Sequence, residues 1–209
     1  LINPLFFDLI FSQIRSVFGL SFVILALMAS KISIRALFLV FGFLIHSSMF
    51  LIFGFYLIAR FLAKENSLFD RELNYFLRVG LAMLAALLCS AFFIYGLEFI
   101  LISADDRRTN YSQESSSVYF ILFWFAGGLV QLFSSYNKRN SEQRWILIYV
   151  AITTIMVFVM ACLSIPGQRF IALLFPFFII GINLCQLQLK IGLLILLILH
   201  TILQFIYWL

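Results

Sequence analysis

The chain has 209 residues, 64% of them apolar and only 11% charged, with a mean hydropathy of +1.11, whereas an ordinary soluble domain is about half apolar and roughly a quarter charged. Phenylalanine alone supplies 27 residues against 14 basic and 9 acidic ones. That is too little polar material to clothe a water-facing surface, so composition excludes a water-soluble globule and points to an all-α, polytopic integral membrane protein. The formal net charge of +5 does not point to nucleic acid as a partner, because the basic residues fall in short gaps between apolar runs.

The apolar runs are continuous rather than alternating, which argues for helices and against barrel strands. Residues 1–13 carry Pro4 and Asp8, which suit either the start of an interfacial helix or the end of a preceding one. The chain opens Leu-Ile-Asn-Pro without a charged n-region and a clean apolar stretch. The expectation is therefore the C-terminal part of a longer protein, with 1–209 forming a single transmembrane domain. Since a crossing needs about 20 apolar residues, about seven segments are expected, at roughly 14–30, 35–60, 78–103, 117–135, 145–164, 169–187 and 190–208.

The gaps set an orientation. Arg60, Lys64, Arg71 and Arg78 fall in 60–78, Lys138, Arg139 and Arg144 in 136–144, and Lys190 in a third gap. The positive-inside rule places these three together in the cytoplasm, and puts the polar loop 104–117 and Arg169 on the outer face. Lys31 and Arg35 break strict alternation, so one early segment is expected to be broken or re-entrant. Cys89, Cys162 and Cys185 lie inside apolar runs without metal or disulfide spacing and are read as small hydrophobes. Ala126, Gly127 and Gly128 suit close helix contact, and Trp124, Trp145, Tyr207 and Trp208 suit interfacial belts. His200, Asn183, Thr153 and Thr154 are read as bonds between helices.

An ionisable side chain inside a membrane segment costs about 2.5–3.5 kcal/mol on insertion scales, so such residues are candidates for function. Arg15, at the start of the first strong run, either snorkels to head groups or offers its planar fork to a phosphate. His46 lies deep in its run beside Ser47 and Ser48; it is either a neutral imidazole bonded across helices or a general base at the foot of a water-filled cavity. Arg107 and Arg108 follow Asp105 and Asp106, either as exposed ion pairs or, with Tyr111, as a grip on a diphosphate or sugar. Arg169 follows Pro166 and Gly167, which end one helix and turn the chain. It occupies the first turn of the next helix, where a cation opposes the dipole and asks for an anion, either a carboxylate or a bound phosphate. Pro176 should kink that helix. No metal site stands out, Asp105-Asp106 being too weak a signal.

An arginine at the start of a membrane helix (Ile14-Arg15-Ser16-Val17-Phe18-Gly19-Leu20), a basic turn from Lys31 to Arg35 and a His-x-Ser in the next run (His46, Ser47, Ser48) occur in that order. With Gly-Gln-Arg-Phe before a Pro-containing helix and the terminal Phe-Ile-Tyr-Trp-Leu, this series resembles the bacterial EpsG-like and Wzy-type O-antigen polymerases over residues 12–209. Ser16 stands where that pattern usually has Gln, and the stretch after Arg169 is Phe-rich where the pattern is Tyr-rich. The resemblance implies a GT-C-like arrangement in the bacterial inner membrane with a periplasmic active site. It further implies inverting, metal-independent, cofactor-free transfer of a glycan from undecaprenyl diphosphate onto the sugar hydroxyl of another lipid-linked repeat unit. Arg169 and Arg15 would clamp the diphosphate, His46 would serve the acceptor, and Arg107, Arg108 and Tyr111 would bind glycan or diphosphate. The partners implied are undecaprenyl-diphosphate-linked glycans, membrane lipids, a chain-length regulator and a flippase. A transporter and a non-catalytic subunit of a membrane complex are the alternatives.

Overall fold

A computed structural model describes residues 14–45, 49–63, 71–91, 118–136, 141–163 and 168–208. All regular structure among them is helical, in eight helices: α1 (Ile14–Met28), α2 (Ile32–Ile45), α3 (Met49–Ala63), α4 (Arg71–Ala91), α5 (Val118–Tyr136), α6 (Ser141–Cys162), α7 (Gln168–Leu184) and α8 (Leu187–Trp208). Two of them are long and apolar enough to cross a membrane, over Gln143–Cys162 and Leu187–Gln204. The remaining apolar helical stretches, such as Ile32–Ile45 and Phe120–Ser134, are shorter.

The core is built around α6. Every residue from Leu147 to Val157 is buried, and the helix packs against α3, α4, α5 and α7. A helix apolar on all sides has no face to give to solvent and takes the centre of a bundle. Phe125 of α5 stacks on Phe158 of α6 with centroids 4.2 Å apart. The glycines expected to mediate close contact do so. Gly127 faces the ring of Phe178 and the end of Leu193, and Gly128 faces the side chain of Thr154, with no space left for a Cβ at either. Ala126 beside them is exposed.

The segment boundaries show where hydropathy and helix formation part company. The run expected over 35–60 is divided between α2 and α3. The rings of Phe43 and Phe53 lie 6.1 Å apart, although ten residues of straight helix span about 15 Å, more than two phenylalanine side chains can close. The two helices therefore lie on different axes, and residues 46–48 between them lie outside the described residues. Arg35 reaches back from the first turn of α2 to donate to the Ala29 carbonyl at 2.9 Å, capping the end of α1. The α1–α2 hairpin closes where Gly42 meets the carbonyl of Gly19. In α4 the helix begins at Arg71, well before the apolar run expected from 78, because Arg, Glu and Leu are good helix formers even where they are not lipophilic.

Helix directions follow from the ring contacts. Phe123 and Gly127 of α5 face His200 and Leu193 of α8 respectively, so α5 and α8 are antiparallel. Trp124 and Gln131 of α5 meet Phe175 and Phe178 of α7 in the same order, so α5 and α7 are parallel. Arg144, in the first turn of α6, donates to the Ala63 carbonyl at the end of α3 at 3.1 Å. The end of α3, the start of α6 with Arg144 and the start of α8 with Lys190 thus gather at one end of the bundle, and the first turn of α7 lies at the other.

Candidate functional site

Two of the sequence candidates occupy described backbone. Arg15 is the second residue of α1 and Arg169 the second of α7, and α1 and α7 pack against each other. The helices that begin with these arginines are therefore neighbours. Both cations sit in first turns, where unsatisfied backbone N–H groups already concentrate positive potential. His46, Arg107, Arg108 and Tyr111 lie outside the described residues, as does the 104–117 loop. Pro176 lies inside α7, where its missing N–H deprives the ladder of one donor.

The described polar groups of the interior are ones the sequence had marked as packing or not marked at all. On α5, Phe123, Trp124, Gly127, Gln131 and Ser134 recur at helical spacing along the face turned to α7 and α8. Trp124, expected in an interfacial belt, is wholly buried instead. Its ring meets Phe178 edge-on at 4.8 Å and His200 at 5.6 Å, and its indole N–H has no hydrogen-bond partner among the described residues. An indole prefers the interface only where its N–H can meet water; here the surrounding phenylalanines take it into the core. His200 was expected to bond between helices. It is held by stacking instead, its ring lying on Phe123 at 4.3 Å and 13° and beside Phe120 at 5.0 Å, while its Nε2 has no partner among the described residues. One turn further along α8, the Oε1 of Gln204 is likewise buried and unpartnered.

Gln131 is half-satisfied. Its amide donates to the Phe178 carbonyl at 3.2 Å and ties α5 to α7, while its Oε1, lying against Gly181, accepts no hydrogen bond from the described residues, nor does the Oγ of Ser134 make one. Thr153 and Thr154 do not bond between helices as expected. Thr153 donates to the Tyr149 carbonyl at 2.9 Å and Thr154 to the Val150 carbonyl at 2.9 Å, both within α6. Asn183 similarly donates to Ile179 within α7. Short polar side chains inside a helix reach the carbonyl of the preceding turn more easily than a neighbouring helix. Arg144, expected in a gap as a topology signal, is buried and caps α3. Cys185 is buried, donating weakly to the Gly181 carbonyl, and Cys162 is exposed. Both fit the expected role of small hydrophobes.

A buried donor or acceptor left unmet costs about 1–3 kcal/mol, so Trp124, Gln131, Ser134, His200 and Gln204, each with such an atom among the described residues, mark an expensive stretch along α5 and α8. Among the described residues no group of His, Cys, Asp and Glu could hold a metal ion. No family model, curated protein or solved structure matches this chain.

Proposed function

We propose that the protein is a polytopic membrane glycosyltransferase of the polymerase type. It would join lipid-diphosphate-linked oligosaccharide units into O-antigen or a capsular or extracellular polysaccharide on the outer face of a bacterial inner membrane. The observation that carries the reading is the pairing of Arg15 and Arg169, each in the first turn of its helix, on two helices that pack together. An arginine in the first turn of each of two neighbouring helices would suit a departing diphosphate, whose charge must be cancelled as the glycosidic bond to it breaks. Inverting transfer would then need only an acceptor hydroxyl to attack the anomeric carbon from the opposite face and a base to take its proton. His46 is the candidate for that base. The order of the sequence motifs that resemble the O-antigen polymerases supports the same assignment, and the aliphatic exterior supports a lipid setting.

The test is replacement of Arg169 by Ala. The variant should insert and accumulate normally, yet fail to elongate lipid-linked glycan, with Arg169→Lys retaining a small part of the activity because a point charge replaces a bidentate fork. Normal long-chain polysaccharide in cells carrying only Arg169→Ala removes the proposed role. One observation favours a transporter as the second reading: α2 and α3 divide a single apolar run on different axes, and discontinuous helices line the substrate paths of many transporters. Uptake or flipping of lipid-linked glycan that depends on the α2–α3 junction, without any change in chain length, distinguishes that reading.

A further inference from the structure

The turn between α1 and α2 gathers positive charge in a stretch of chain that has no acid of its own. From residue 9 to residue 64 the sequence holds Arg15, Lys31, Arg35, Arg60 and Lys64 and no aspartate or glutamate. Lys31 and Arg35 stand together at the turn. The backbone N–H of Arg35 donates to the Lys31 carbonyl at 3.0 Å, so the two residues are one helical turn apart and share a face. Lys31 is exposed and Arg35 partly buried, and neither makes an ion pair among the described residues. Like charges at this spacing repel; an anion shared between them turns the repulsion into attraction.

Arg35 is held in place at the turn. Its Nη2 donates to the Ala29 carbonyl at 2.9 Å, which accounts for one of the five N–H donors of a guanidinium. Nε is enclosed and has no partner among the described residues, so an incoming anion meets the group at its outer nitrogens. A guanidinium already fixed in direction gives up little freedom on binding, and its planar geometry matches a phosphate. What borders the two cations identifies the source of the anion. Met28 and Ile32, just before and just after the turn, are 77% and 76% exposed, and Leu25, Leu37, Val40 and Phe41 continue an exposed apolar surface along the hairpin. Such a surface belongs in hydrocarbon, and the level at which it gives way to lysine and arginine is that of the phosphates of a leaflet. A phosphate ion from water has no use for the apolar rim. A phospholipid uses both parts.

We propose that Lys31 and Arg35 hold the phosphate of an anionic phospholipid of the bilayer at the α1–α2 turn, with its acyl chains against Met28 and Ile32. The site is separate from the Arg15–Arg169 pair and does not rest on the polymerase reading.

The experiment places the full chain in phosphatidylcholine nanodiscs that carry a trace of one of two photoreactive lipids, a phosphatidylglycerol or a phosphatidylcholine, with the same diazirine close to the glycerol. The anionic probe should label peptides from 24–40 about twenty-five-fold more than the zwitterionic one, about fivefold for each cation. Lys31→Gln, at a residue that caps nothing, should lower that preference about fivefold. Arg35→Lys, which gives up the bond to Ala29 and keeps the charge, should retain most of it. Lys190→Gln, which removes a cation from another turn, should leave it unchanged. Equal labelling by the two probes, a preference unmoved by Lys31→Gln, or an equal loss with Lys190→Gln overturns the proposal, the last because only the general surface charge would then be at work. Excess inorganic phosphate should not compete; if it abolishes the preference, the turn takes phosphate from solution and the lipid assignment falls.

Discussion

At Gly128 the side chain of Thr154 occupies the place that a Cβ would take, and it cannot swing aside cheaply because its hydroxyl is bonded to Val150 and Ala151. Gly128→Ala should therefore destabilise the protein by about 1–3 kcal/mol, the usual cost of overpacking. Adding Thr154→Ala should recover most of the loss, since the two positions share one contact. Thermal unfolding of the single and double variants in detergent checks the coupling; additive effects would show that the contact is not the cause. Arg144 makes the opposite kind of case. Its guanidinium supplies a donor to the end of α3 where the helix leaves carbonyls unmet. Arg144→Met keeps much of the volume and loses the donor, and should cost about 1–3 kcal/mol in the same measurement. Neither residue's role is visible in sequence. A glycine pair announces close approach but not the partner, and an arginine three residues into a helix looks like any other charge near a membrane edge.

Among the elements, α8 has an inverted distribution of polarity. Its inward stripe carries His200 and Gln204, while Leu187, Ile195, Ile198, Leu203 and Ile206 are exposed. A soluble helix would be arranged the other way; a helix facing hydrocarbon need not be. Leu196→Arg, near the middle of the span, should cost about 2.5–3.5 kcal/mol of insertion, and the same change at Leu187, near the end, much less because arginine can snorkel there. Glycosylation mapping of α8 in microsomes gives both values, and equal costs at the two depths would show that α8 does not cross. The long, strongly apolar helices α6 and α8 were legible as segments because length and composition alone suffice. The change of axis between α2 and α3 was hidden, since every residue of the run 35–60 is compatible with a single helix by hydropathy. The early start of α4 was hidden for the converse reason: its first turns form a helix without being apolar.

At the level of the molecule, the arrangement of helices brings the ends beside the basic gaps together. Arg144 capping α3, with the antiparallel course of α5 and α8, puts the end of α3, the start of α6 and the start of α8 at one end. With the three native cysteines replaced, a cysteine at Gln186 and one at Ser112 should be labelled by a membrane-impermeant maleimide from opposite sides of sealed vesicles. Labelling of both from the same side would overturn the orientation. The candidate site was less legible than the fold. Sequence scarcity of charge singled out Arg15, His46 and Arg169 but passed over Trp124 and Gln204, because a tryptophan and a glutamine are unremarkable in composition and their lack of partners is a property of packing alone.

The inverted polarity of α8 also has a kinetic meaning. In lipid, withdrawing this helix from the bundle exposes no apolar surface to water, so the hydrophobic effect does not hold it in place. Its attachment rests on short-range contacts at Leu193, Leu197, His200 and Gln204. The opposite holds for α6, whose removal would dismantle contacts with four neighbours. Hydrogen exchange in bilayers should accordingly find α6 opening only with the whole fold and α8 moving away as a unit at far lower cost. The last helix would then behave as a sidewall that parts sideways into the membrane, with the polar seam at His200 as the line along which it opens.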